Sequence, residues 1–476
     1  MIATYLYLFL YVYLVYAIGF VTYGLFSKFY VARLNIFLNI ALSWALGSFV
    51  TMLFLYILAI TNSLAVFTFQ NFFWVLGAVS FLLLLSFYRL FKLKIRIFPA
   101  NILVLAIVGI FFIPLVRDSL YSYLVSWDAV AIWFFKAKVF FLHEGVWINN
   151  FFTDTSIYTY SHRAYPIGFP LLISGYYRLI GLANDQVSQF IPLQFYLNLM
   201  LLFFGIVLHI FKKGMRLILL LFAISLIIFP NIVIYSHNGY ADVAISFYIA
   251  ILTCLLIFVL EMKKNVYELS ILSIVISISA SLVKNEGIAL FCIVEGTILA
   301  GLIFALIRKK GEPVKIILYI VLPLLVGVVA ILSWGYIGRV LSFPTDSYLL
   351  GGQSLSIVSR IKLIFNQYVL ELGSTAKYSF IVTLGLFIFV FQSTIYLFSR
   401  KFRRFIPLYF VVLQFAVYTF IYLRTGVQLQ WQLTTSYDRL FLQVLPGFLI
   451  VVVYQIQFLP QGLQWFLKDS DIKKKD

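Results

Sequence analysis

The chain alternates between long apolar runs and short polar connectors, and the runs share one character. Leu318–Tyr336, LYIVLPLLVGVVAILSWGY, is uncharged over close to the roughly 20 residues that a helix needs to cross about 30 Å of hydrocarbon. Runs of this kind predict membrane spans near residues 3–25, 35–60, 67–90, 97–116, 186–211, 215–235, 241–261, 267–283, 287–307, 315–337, 378–398, 405–423 and 440–458. A further apolar segment, 167–182, is shorter. Period-2 alternation, the mark of an outer-membrane strand, is a poor description of these runs. The predicted fold class is all-α and polytopic, with about 13 transmembrane helices.

Composition agrees with the pattern. Hydrophobic residues make up 63% of the chain and charged residues 11%, with a mean hydropathy of +1.03; a soluble domain carries about 25% charged residues. The net charge of +18 would suggest nucleic acid in a soluble protein. Here the basic clusters (Arg89–Arg96, Lys212–Arg216, Lys263–Lys264, Arg308–Lys315, Arg400–Arg404 and Lys473–Lys475) each abut an apolar segment. That is how cytoplasmic loops are marked, with anionic membrane lipids as the partner and no nucleic acid. Cys254 and Cys292 both fall inside apolar segments and read as packing residues. The first apolar stretch lacks a basic leader and a small-residue cleavage site, so it is expected to be a retained helix.

Charge also orders the topology. Lys28 and Arg33 follow the first span, which puts its end inside and the amino terminus outside. The basic connectors all stay inside only if 167–182 lies in the interface and does not cross. The outer face then receives Arg117–Pro166, Ser236–Asp242, Lys284–Glu286, Leu341–Lys377 and Val427–Arg439. With them come Asp118, Asp128, Asp154, Asp242, Glu286, Asp346, Glu371 and Asp438. Function is expected at that face.

The stretch SWDAVAIWFFKAKVFFLHEGVW, Ser126–Trp147, reads as a helix along the membrane, with Ile132, Phe135, Val139 and Leu142 at helical spacing and Lys136 among them. Ser126 is a plausible N-cap, so Asp128 is either a first-turn carboxylate favoured by the helix dipole or a chemical group. In YSHRAYPIGFPLLISGYYRLIGL, Tyr160–Leu182, His162 and Arg163 are interfacial anchors or hold a phosphate, which guanidinium geometry suits. Asp242 and Glu286 sit at helix starts, as caps or substrate contacts. Lys284 is a snorkelling lysine or a site cation. Glu295 lies within a span, where an ionisable group is a functional candidate.

These stretches resemble the GT-C superfamily of membrane glycosyltransferases, of the protein O-mannosyltransferase and lipid A aminoarabinose transferase type. The acid-bearing helix followed by the Tyr165-Pro166 segment is similar to that family's first outer loop. GYADVAISFY (Gly239–Tyr248), SLVKNEGIALF (Ser281–Phe291) and YDRLFLQVLP (Tyr437–Pro446) resemble its later outer turns. The resemblance covers residues 97–458 and implies three accessory spans in 1–96, outer loops at 117–185 and 338–377, and a cytoplasmic tail at 459–476.

It further implies transfer of a sugar from a polyprenyl-phosphate donor to a lipid, glycan or protein acceptor at the outer face of a prokaryotic plasma membrane. Asp128 matches the catalytic carboxylate; Lys136, His162, Arg163, Tyr165, Asp242, Lys284, Glu286 and Arg439 are the expected substrate-binding set. Relatives often carry two adjacent acids where Asp128 is followed by Ala129, so a divalent cation (Mg or Mn) has weak support. Two other classes compete: a polymerase or ligase of lipid-linked glycans, using Arg339, Arg360 and Lys362 of a late loop, and a secondary transporter using Glu295.

Overall fold

A computed structural model describes residues 2–26, 34–90, 99–147, 150–154, 159–211, 230–261, 266–307, 320–343, 355–378, 381–399 and 406–458. The predicted span at 215–235 lies mostly outside these residues, as do the tail and most of the basic connectors. Helices of eight residues or more are numbered in order. They are α1 (Ile2–Phe26), α2 (Ile36–Ile60), α3 (Phe69–Leu90), α4 (Pro99–Tyr121), α5 (Phe134–Leu142), α6 (Gly168–Ile180), α7 (Phe190–Ile210) and α8 (Pro230–His237). After them come α9 (Asp242–Glu261), α10 (Val266–Val283), α11 (Asn285–Ile307), α12 (Leu322–Val340), α13 (Ile357–Leu372), α14 (Ile381–Ser399), α15 (Ile406–Arg424) and α16 (Leu429–Ile456). No strand occurs among the described residues, and seven helices there are long and apolar enough to cross a membrane.

Small residues set the closest packing. A Cβ on Gly19 of α1 would sit 1.7 Å from the Ser43 carbonyl oxygen, and one on Gly47 of α2 1.8 Å from that of Val15. The two backbones therefore touch, the arrangement small residues permit between helices in lipid. At the centre α9 packs against α7, α10 and α16. The Tyr248 hydroxyl lies 2.9 Å from Ser48 Oγ and accepts from Ser279 Oγ at 2.8 Å, joining α2, α9 and α10 through one buried polar knot. Outward faces are apolar: Leu325, Val329, Leu332 and Tyr336 of α12 are all exposed.

The short apolar segment forms one largely buried helix, α6. α6 has 13 residues, roughly 20 Å at 1.5 Å per residue, short of the about 30 Å hydrocarbon core. It stays near the start of α1 and the end of α10: Tyr176 donates to the Thr4 carbonyl at 3.0 Å, and Gly168 faces the Leu282 carbonyl. Arg178 fixes it there, donating to Phe140 O and His143 O (both 2.6 Å) and to Leu64 O at 3.1 Å.

Candidate functional site

The first loop departs from the simple surface helix that its spacing predicts. Asp128 precedes a π-helical turn, Ala129–Trp133, which runs into α5. Such wide turns recur at functional sites. Lys136, expected to bind substrate from a helix along the membrane, is fully buried, while Leu142, at the spacing of the apolar positions, is exposed. The cause is long-range: the segment 159–166 folds over the helix, and Lys136 Nζ donates to its carbonyls, His162 at 2.6 Å and Tyr165 at 3.5 Å. Ser126 contributes its carbonyl, which accepts from Val130 N at 2.9 Å.

Asp128 makes no capping hydrogen bond. Its carboxylate pairs with Arg439 of α16, both side chains about one-fifth exposed. The Arg439 guanidinium also lies 5.4 Å from the Tyr240 ring centre. Burial, and next the Asp128 carboxylate, raise the Tyr240 phenol above its ordinary value, against the pull of Arg439. The turn carrying Tyr240 depends on Gly239, with φ of 81°. A Cβ there would meet Leu124, Phe134 and Ala129 at 2.8–3.0 Å. Glycine thus lets the turn press directly against the Asp128 segment.

Asp242 and Lys284 continue the network inward. Asp242 opens α9 yet sends its carboxylate sideways: Oδ1 accepts from Lys284 Nζ at 3.0 Å and from Gln443 Nε2 at 2.6 Å. Lys284, in the turn between α10 and α11, also pairs with Glu286 at 2.8 Å. Burial alone would lower the ammonium; the Asp242 and Glu286 carboxylates outweigh it and hold Lys284 above the ordinary lysine value. Snorkelling does not describe a lysine buried between two acids. Gln443 passes the chain on: its Oε1 accepts from Tyr418 at 2.6 Å, Tyr418 accepts from Gln414 at 2.9 Å, and Gln414 reaches the Glu286 carbonyl at 3.3 Å. The result is a closed polar circuit at one end of the bundle.

His162, Arg163, Tyr165 and Lys136 form a second group. Tyr165 stacks between His162 and Trp133, with ring centres 4.9 and 5.8 Å away. His162 adopts φ of 44°, uncommon for a residue with a side chain. Arg163 is 1% exposed with its guanidinium 5.5 Å from the Phe151 ring, and among the described residues none of its three nitrogens meets a hydrogen-bond acceptor. Burial lowers it from the usual arginine value, partly opposed by Asp154. Beside it, Trp334 donates to the Ala164 carbonyl at 3.0 Å. A small, mainly apolar crevice opens there, lined by Tyr56, Pro166, Ile167, Leu282, Ile331 and Trp334 among others.

Of the nine residues expected from the sequence, Asp128, Asp242, Lys284, Glu286 and Arg439 come together in one network; the other four share the first loop. Sequence reading missed Tyr240, Gln414, Tyr418 and Gln443. The signal for Gln443 was its place four residues after Arg439, hence on the same helical face. Among the described residues no three His, Cys, Asp or Glu side chains converge in a metal-binding arrangement. Comparison with models of known protein families, with curated proteins and with solved structures gives no match.

Proposed function

We propose that this protein is a membrane glycosyltransferase of GT-C architecture, with thirteen spans, three of them accessory (1–96). It moves a sugar from a polyprenyl-phosphate donor to a lipid, glycan or protein acceptor at the outer face of a prokaryotic plasma membrane. One observation carries the reading: charged residues from four separated segments, Asp128, Asp242, Lys284 with Glu286, and Arg439, gather in a single network. In the proposed step an acceptor hydroxyl attacks the anomeric carbon and gives its proton to Asp128, while the bond to the donor phosphate breaks. The phosphate leaves with its negative charge, which needs cations nearby. Arg163, whose three guanidinium nitrogens have no hydrogen-bond partner among the described residues, would meet the phosphate, and Arg439 turns to it as Asp128 turns to the acceptor.

The test uses the full chain in proteoliposomes with labelled prenyl-phosphate sugars. Asp128→Asn should lower transfer by about 10²–10⁴-fold, the worth of a positioned base. Asp118→Asn, whose carboxylate only pairs with exposed Arg117, should leave it unchanged. Transfer by folded Asp128→Asn at the wild-type rate would remove the central residue of the proposal.

A transporter reading draws on Glu295, a buried carboxyl within α11 that accepts from Ser277 Oγ at 3.4 Å. Loss of solute uptake in Glu295→Gln, with Asp128→Asn unaffected, would favour it.

A further inference from the structure

The helix α13 turns charged residues inward beside apolar Ile364 and leaves a second apolar face exposed. Its buried side chains include Arg360 and Glu371, with Gln367 partly buried, whereas Ile357, Val358, Ile361, Phe365 and Val369 are exposed, Ile357 by 71% and Phe365 by 63%. At 100° per residue these five occupy an arc of roughly 120°. Exposed Lys362, Asn366 and Ser359 make a polar edge beside that arc, followed by exposed Leu370 on its far side. A helix facing water does the reverse, turning apolar residues in and charges out.

The inward charges are satisfied, so the orientation is built in. Arg360 Nη1 donates to the Leu423 and Thr425 carbonyls at 2.8 and 3.1 Å, and Glu371 pairs with Lys377 at 2.8 Å. Those two carbonyls lie where α15 ends, and α15 is among the helices long and apolar enough to cross a membrane. Arg360 thus ties α13 to the carboxy-terminal end of α15. At the amino-terminal end Ser356 Oγ caps the helix, accepting from Ser359 N at 3.2 Å. On the protein side Tyr368 stacks on Tyr437 with ring centres 4.8 Å apart, next to Asp438 and Arg439.

We propose that α13 is an in-plane membrane helix whose apolar arc is immersed in the phospholipid acyl chains of one leaflet. Its Ser359–Lys362–Asn366 edge lies at the head groups. An amphipathic helix of this kind sits about 5–10 Å into the headgroup and acyl boundary, and one lysine on the polar edge favours anionic lipid. The occupant is lipid because the arc is apolar and exposed along the helix, and Arg360 ties that helix to the end of α15, a helix long and apolar enough to span. The proposal stands whatever reaction the protein catalyses.

Site-directed spin labelling decides it. Ile361→Cys, Phe365→Cys and Asn366→Cys are each placed in the full chain carrying Cys254→Ser and Cys292→Ser, then labelled and reconstituted in phosphatidylcholine–phosphatidylglycerol vesicles. All three labels replace exposed side chains, so the Arg360 and Glu371 anchors stay intact; circular dichroism and gel-filtration elution check the fold. At 361 and 365, collision with oxygen should exceed collision with a water-soluble nickel chelate several-fold, and 366 should show the opposite. Chelate collision at 361 and 365 equal to that at 366 would mean that the arc faces water and would overturn the proposal. Protection of 361 and 365 from both reagents would mean that protein covers the arc, and would overturn it equally.

Discussion

Lys284 sits between two carboxylates with almost no water in reach, so its neighbours decide what any substitution there does. Lys284→Met leaves Asp242 and Glu286 close together without their cation. Breaking a buried pair from one side costs about 3–5 kcal/mol, so the melting temperature in detergent should fall sharply. Adding Asp242→Asn should restore part of the loss, since one orphaned charge is then gone. A Lys284→Met protein melting with the wild type would show that the network contributes nothing to stability. The same residues show what could be read from the chain alone. Asp128, Asp242, Lys284, Glu286 and Arg439 stood out as charges in an apolar sequence, and they do converge. Gln443 and Gln414 carry no charge and were passed over, although an amide deep in an apolar helix also demands partners. Lys136 was legible as a cation but not as a buried one, because the segment that covers it arrives some 26 residues later.

At the scale of elements, the α1–α2 crossing is set by two glycines whose backbones meet the opposite helix directly. Gly47→Val should push the pair apart and destabilise the protein by about 1–3 kcal/mol, the usual cost of overpacking. Gly24→Val is the matched control, since a Cβ at Gly24 meets nothing within 4 Å. Equal melting temperatures for the two variants would contradict the close crossing. Hydrophobic run length located most of the long helices, and the shortness of 167–182 separated α6 from them. It did not find α13, which falls in a stretch read only as the loop Leu341–Lys377. The amphipathic template assumes that charges point to water; α13 turns Arg360 and Glu371 inward, so its pattern does not match a helix docked on a soluble core.

For the whole molecule, the proposed sidedness is open to a direct check in intact cells, again with Cys254 and Cys292 replaced. A cysteine at Ser122 should react with a membrane-impermeant maleimide from outside, and one at Ser470 only after permeabilisation; the converse would invert the topology. The polar circuit has a mechanical meaning as well. It runs from Gln414 of α15 through Tyr418, Gln443 of α16, Asp242 of α9 and Lys284 to Glu286 of α11, then closes back on Gln414. No one of these helices can tilt or slide without opening a buried hydrogen bond or ion pair. A carrier that exposes its cargo alternately to two sides rocks one bundle past another. Any rocking that divided α9, α11, α15 and α16 between two moving bodies would tear this ring at its most desolvated point, so the four would move as one.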